Sequence, residues 1–317
     1  MSKGSIAFLF PGQASQYVGM GQDLYELYPF VRELYEQANV LLGYDITSVS
    51  FEGPAATLRE TIHTQPAILV HSIAAASVLA THDIKPEFVA GHSLGEYSAL
   101  VSGEYLSFSE SLRLVRLRST LMHKAGTEKP GTMAAIIGLT TKEIDRICTE
   151  ASNESEPVQA ANYNSPEQVV IAGSIPAVQR AMDLANSAGA KRAMQLEVSG
   201  AFHSVLMEGA VAGLSDAITD TPLSGSKIPL IANVTAEPVN EIAQIRKLLI
   251  SQLTNPVRWA ESMSNLVSLG VDTFIEVGPG KVLKGLMRRI DRNVTVLNAD
   301  TAESIDKIIA WSEDSSE

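Results

Sequence analysis

The chain has 317 residues, 45% of them hydrophobic and 19% charged, a balance that fits a globular protein with one large or two modest domains. Its formal net charge of −12 argues against nucleic acid as the principal partner, because phosphate binding needs a clustered cationic face. The single cysteine, Cys148, excludes an internal disulfide and any multi-cysteine metal site, and no window offers the roughly 18 consecutive apolar residues of a membrane span.

The opening "MSKGSIAFLFPGQ" has too short an apolar run for a secretory signal, so a cytoplasmic location is expected. Ile6 to Phe10 reads as a buried strand stopped by "PGQASQ". Helices are expected from about Gly21, over Val31 to Leu42 and over Pro66 to Thr81. Glu87 to Ala90 reads as the end of another buried strand, and Gly91, Ser93 and Gly95 in "VAGHSLGEYSAL" then fit G-x-S-x-G. That pattern marks a strand, a sharp turn carrying serine at its apex, and a helix, here with Leu94, Tyr97, Leu100 and Val101 at helical spacing. A glycine-bracketed turn that merely packs a helix on a sheet would give the same three positions.

In "SFSESLRLVRLRSTLMHKAG" Ser107 and Glu110 suit a capping box, and Arg118 sits among Leu114, Val115, Leu121 and Met122 at i−4, i−3, i+3 and i+4. A guanidinium in an apolar stripe must meet a protein carboxylate or a ligand anion, and both remain open at this point. From Thr132 the elements read β-α-β-β-α-β, a ferredoxin-like order. The expected organisation is therefore an α/β domain of residues 1–128 and 198–317 with a small domain, 129–197, inserted in it. After it come "IPLIANVT" as strand, a helix near Trp259, "DTFIEV" as strand, a turn at Gly278 to Gly280, and a disordered tail "EDSSE".

A serine hydroxyl needs a base, and histidine is the usual one. Of the six histidines, His63, His71, His82 and His123 lie in or beside helices, while His92 merely adjoins Ser93 in sequence. His203, in the loop "SGAFHSVLM" after the last strand of the small unit, is the favoured base. Basic residues gather at Arg113, Arg116 and Arg118, at Lys191 and Arg192, and at Lys281, Lys284, Arg288 and Arg289; these are solvated faces or local landing sites for anions.

The blocks "FPGQASQ", "TQPAI", "GHSLGEYSAL", Arg118, "ANYNSP", "GAFHS", "QLTNPVRW" and "EVGPGKVLKGL" occur in one order over nearly the whole chain. Together they resemble the malonyl-CoA:acyl carrier protein transacylase family of bacterial fatty acid synthesis and the related polyketide synthase acyltransferases. The resemblance implies a hydrolase-like α/β domain with a parallel sheet and a nucleophile elbow, plus a ferredoxin-like insertion. It implies Ser93 as nucleophile, His203 as base and then acid, and the main-chain carbonyl of Gln252 orienting the histidine. It implies backbone N–H groups of Gln13 and Leu94 as oxyanion donors, Arg118 as clamp for the substrate carboxylate, and Gln65 and Asn162 as positioning groups. Leu94 and Phe202 resemble the malonyl-selective pattern. Ala14 departs from the family's usual G-Q-G-S-Q loop, and its methyl is expected to demand a negative φ or to crowd the pocket floor.

The implied reaction is ping-pong transfer of malonyl from malonyl-CoA, through a serine ester, to the phosphopantetheine thiol of acyl carrier protein, with CoA as product. No metal, no other cofactor and no membrane or nucleic-acid partner is implied, and a monomer is expected. The alternatives are a stand-alone acyltransferase loading a polyketide synthase carrier and a serine esterase or thioesterase. Arg118 separates the last from the others, since an esterase gains nothing from a buried cation.

Overall fold

A computed structural model of the chain describes residues 5–314. Its strands are β1 (Ser5–Phe10), β2 (Phe88–Gly91), β3 (Thr132–Ile137), β4 (Val158–Ser165), β5 (Gln168–Gly173), β6 (Arg192–Gln195), β7 (Leu230–Ile231), β8 (Pro238–Val239), β9 (Val271–Val277) and β10 (Thr295–Ala299). They form a six-stranded sheet in the order β10-β9-β1-β2-β7-β8 and a four-stranded sheet in the order β4-β5-β3-β6. This is an α/β fold.

In the large sheet every pair is parallel except β7 with β8. The apolar run "IPLIANVT" therefore does not form one long strand. Only Leu230 and Ile231 pair with β2, and the chain then turns back as β8 through Ala236, whose φ is 62°. Asn233 leaves the ladder because its polar groups are engaged elsewhere, with Ser93, Gly91 and Glu96. The result is a mixed sheet with an antiparallel edge rather than a purely parallel one.

The helix expected from Pro66 runs from Thr61 to Thr81, so the proline lies inside it. Proline cannot donate to the carbonyl four residues back, that of Ile62, and the hydroxyl of Tyr44 donates to that oxygen instead at 3.2 Å. By length and composition this helix could cross a membrane, yet most of it is buried in the main core. It packs against the arginine-bearing helix Phe108–Glu128. That helix starts as expected with Ser107 accepting from the Glu110 N–H, but Glu110 turns to Arg113 at 2.9 Å rather than completing a box. The complete capping box is formed by Thr140 and Glu143 at the helix Thr141–Ala151.

The four-stranded sheet is antiparallel and carries the helices Thr141–Ala151 and Ile175–Ser187 over a separate core that includes Ile136, Ile144, Val169 and Ile171. Cys148 belongs to this core, and burial pushes its thiol pKa up to about 12, which removes it as a nucleophile at neutral pH. Strand β6 ends at Gln195, and the chain from Leu196 to Ser199 lines the cleft. Strand β10 and the helix Ala302–Asp314 carry no clear sequence signal and complete the far edge. Glu313 and Asp314 of "EDSSE" end that helix; the rest of that segment lies outside the described residues.

Candidate active site

Strand β2 stops at Gly91, Ser93 takes φ of 53°, and the helix Gly95–Ser102 begins two residues later. Such a turn demands close approach. A Cβ at Gly91 would collide with the backbone of Gly95, and one at Gly95 with the carbonyl of Phe10. The turn is then locked from outside: Asn233 Oδ1 accepts from the Ser93 N–H at 2.8 Å, and Asn233 Nδ2 donates to Gly91 O at 2.6 Å.

His203, also left-handed at φ 59°, brings Nε2 to 2.7 Å from Ser93 Oγ. Its Nδ1 lies 2.8 Å from the main-chain carbonyl of Gln252. A carbonyl can only accept, so the proton is on Nδ1 and Nε2 offers its lone pair to the serine hydroxyl. Burial first, and the nearby Arg118 charge second, push the His203 pKa down to about 3, which keeps the ring neutral at pH 7. Gln159 Nε2 donates to the carbonyls of His203 and Thr254, both at 3.2 Å, and so holds the histidine loop.

Arg118 is fully buried, and neutral oxygens surround it. Its Nη1 donates to Gln65 Oε1 at 2.7 Å, and its Nη2 to Gln252 Oε1 at 2.9 Å and to Ser93 Oγ at 3.1 Å, while Nε has no partner. Among the described residues no carboxylate lies within ion-pair distance of it, so the protein-carboxylate option of the sequence reading is not what the fold provides. The guanidinium points at the serine with its charge unmatched by direct contact.

A cleft of about 460 Å³ opens over these groups, with Gln13, Ala14, Ser93, Asn162, Phe202 and His203 in its lining. Gln65, Arg118 and Gln252 lie beneath its floor, buried, and Gln65 also donates to Gln13 Oε1 at 3.1 Å. The backbone N–H groups of Gln13 and Leu94 donate to no other group among the described residues. The Leu94 side chain packs into the main core rather than the cleft, so its N–H is what the site sees, whereas Phe202 does line the cleft. Ala14 keeps the left-handed backbone that a glycine would take there, φ 79°, with its N–H donating to Gln16 Oε1 at 2.8 Å. Its methyl thus does not force a negative φ, and Ala14 itself lines the cleft. Across the mouth, Thr61 Oγ1 and Ser199 Oγ lie 3.0 Å apart and Arg59 pairs with Glu197 at 3.5 Å.

Two buried groups escape sequence reasoning. Glu96 has the place of an acidic residue in a helix's first turn, normally a solvated partner of the dipole, and Asn233 follows an apolar run with no motif around it. Both are buried beside Ser93. Among the basic clusters, Lys191 pairs with Glu167 at 3.0 Å, while Lys281, Lys284, Arg288 and Arg289 form no ion pair among the described residues. Close approach of Gly280 to Ser15 puts the start of that cluster's helix, Val282–Ile290, beside the loop that lines the cleft.

The fold that carries these groups is that of an acyl transferase domain: the model of that family matches residues 7–310, and the chain belongs to it. More particularly, it is 43% identical over 309 residues to the malonyl CoA-acyl carrier protein transacylase of Bacillus subtilis (strain 168), covering 98% of this chain and 97% of that one. The solved structure of the malonyl CoA-acyl carrier protein transacylase from Coxiella burnetii superposes with a TM-score of 0.94 at 40% identity, over 97% of each chain. A malonyl-transacylase solved in complex with a type II PKS acyl-carrier protein matches with a TM-score of 0.94 at 39% identity, over 97% of this chain and 99% of that one.

Proposed function

We propose that the protein transfers the malonyl group of malonyl-CoA to the phosphopantetheine thiol of an acyl carrier protein through an ester on Ser93. The observation that carries this reading is one hydroxyl held by two groups: Ser93 Oγ lies 2.7 Å from the neutral His203 Nε2 and 3.1 Å from the Arg118 guanidinium. The histidine supplies the base that any acyl transfer needs, and the buried cation supplies what a malonyl carboxylate needs.

In the first half-reaction Ser93 Oγ attacks the thioester carbonyl while its proton passes to His203 Nε2. The carbonyl oxygen becomes an oxyanion facing the free N–H groups of Gln13 and Leu94, the latter at the N-terminus of a helix, where peptide dipoles favour negative charge. The C–S bond then breaks, and CoA leaves with the proton from His203. In the second half-reaction the carrier's thiol gives its proton to His203 and attacks the ester carbonyl, and the C–O bond breaks as Ser93 Oγ takes the proton back. Gln252 keeps the ring oriented through its carbonyl, Arg118 holds the malonyl carboxylate in both halves, and Asn162 and Gln65 position it. No metal or bound cofactor takes part in this scheme.

In the same reading the turn at Ser93 is a nucleophile elbow, the large sheet belongs to a hydrolase-like domain of residues 1–128 and 198–317, and residues 129–197 are its ferredoxin-like insertion. The cleft mouth lies between the two. Carrier proteins of this kind are acidic, and the unpaired cluster of Lys281, Lys284, Arg288 and Arg289 is their landing surface on a chain of net charge −12.

The test is intact-mass spectrometry after mixing with malonyl-CoA, for the wild type and for Ser93→Ala. A malonyl adduct on the wild type alone, discharged by a holo carrier protein, supports the reading; rapid release of free malonate with no adduct passed to carrier supports a hydrolase instead. Rates with fatty acid and polyketide carriers then decide which pathway the enzyme serves, a choice made real by the polyketide-type relative's equal structural likeness.

A further inference from the structure

Arg118 is aimed by a side chain that could point either way. The amide of Gln252 presents Oε1 to Arg118 Nη2 at 2.9 Å, while its Nε2 donates to Ser93 O at 2.9 Å and to Glu96 Oε2. Reversing that amide would put an NH₂ group against the guanidinium, two donors face to face, and would leave the arginine without one of its three oxygens. Something must therefore fix its orientation. Ser93 O and, at 3.4 Å, Asn233 Oδ1 accept from its NH₂ group, and the one charged acceptor on that group is Glu96, fully buried one turn along from Ser93.

Both carboxylate oxygens of Glu96 are committed to donors. Oε1 accepts from the Asn233 N–H at 2.9 Å and Oε2 from Gln252 Nε2. Neither of these donors can accept, so an acceptor-only carboxylate satisfies the pair, whereas a neutral amide offers one acceptor and one donor and must fail one of them. Glu96 and Arg118 also attract one another across Gln252, although they make no direct ion pair. Burial pushes the Glu96 pKa up to about 7, against the pull of Asn233, Gln252 and Arg118, so the donors around it work to keep a charge that burial opposes.

We infer that Glu96 is a positioning residue for substrate selection: it sets the amide of Gln252, which in turn aims Arg118 at the carboxylate of the acyl group. The inference rests on the malonyl-transfer reading above. It separates two things that Gln252 does at once, since the main-chain carbonyl serves His203 while the side chain serves Arg118. Loss of Glu96 disturbs the second and spares the first.

The experiment is rapid-quench acylation of Ser93 by malonyl-CoA and by acetyl-CoA, read by intact mass, for the wild type, Glu96→Gln, Gln252→Met and the double variant. The expected result is a fall of roughly 10- to 100-fold in malonyl acylation for each single variant, with acetyl acylation changed by less than about threefold in Glu96→Gln. The double variant should be no worse than either single one, because both act through one contact. Equal losses with both donors in Glu96→Gln, no loss with either donor there, or additive losses of malonyl acylation in the double variant overturn the inference. Should Glu96→Gln fail to fold, Glu96→Asp, which keeps an acceptor-only carboxylate but draws it back from Gln252, must still show the donor-selective loss, and an even loss there overturns it. A wild type that forms no malonyl ester instead overturns the underlying reading, and is seen before any variant is made.

Discussion

Replacing Arg118 by alanine is the perturbation with the largest and most selective consequence. The guanidinium is wholly buried, keeps one N–H without any partner, and reaches the Ser93 hydroxyl itself. A malonyl carboxylate brought to that place completes a desolvated, charge-assisted pair. Removing one partner from such a pair costs about 3–5 kcal/mol, because the other charge is left buried alone. At about 1.4 kcal/mol per factor of ten, this is a loss of roughly 10²- to 10⁴-fold in kcat/KM for malonyl-CoA. Acetyl-CoA brings no carboxylate, so its rate should hold or rise once the cation is gone. Arg118→Lys should fall between, since an ammonium keeps the charge but loses the planar fork. The assay is the initial rate of Ser93 acylation with each donor, alongside thermal melting to show that the variants are folded. Parallel losses with both donors in a folded Arg118→Ala protein would refute the reasoning and make Arg118 a structural residue that happens to touch the serine.

The same variant should alter pH dependence with acetyl-CoA. Burial, and after it Arg118, lowers the His203 pKa to about 3, so removing the cation makes protonation easier and moves the acid limb of the rate profile upward; an unmoved limb would show that burial alone sets it. Ala14→Gly should relieve a left-handed alanine worth about 1–2 kcal/mol and lose about 0.5–1 kcal/mol to added freedom of the unfolded chain, a small net gain that raises Tm by about 1 °C. A lower Tm would mean that the methyl contributes packing. Reversing both charges in Lys281→Glu/Lys284→Glu should raise the KM for carrier protein roughly tenfold and leave that for malonyl-CoA unchanged, whereas equal effects on both would remove the landing surface from this helix.

Ser93 was legible because two glycines bracket it, and the collisions that a Cβ would make at Gly91 and Gly95 are the physical content of that pattern. Arg118 was legible from its four apolar neighbours on one helix, although periodicity could not say what it would meet. His203 stood out among the histidines only weakly until the family resemblance weighted it, since contact between residues 110 apart in the chain leaves no local trace. Glu96 and Asn233 were illegible for a related reason. Each has an ordinary local role open to it, first-turn acid or turn asparagine, and only the parallel pairing of β2 with β7, far apart in the chain, brings the two together. Local rules also misplace chain breaks where a distant side chain repairs the break, as Tyr44 does for the proline in the helix Thr61–Thr81.

The crowding at the serine turn bears on how the protein could be retrained for other acyl groups. Between Gly91 and Gly95 there is no room for a side chain that the present backbone does not already hold, so a mutant library spread over those positions would consist largely of unfolded clones. The wall of the cleft is different. Met133, Val198 and Phe202 face the open volume from strand β3 and from the segments around the histidine, away from the turn itself. A library confined to those three can vary the shape of the cleft while Ser93, His203 and Arg118 keep their places, which divides the molecule into a part to leave fixed and a part open to redesign.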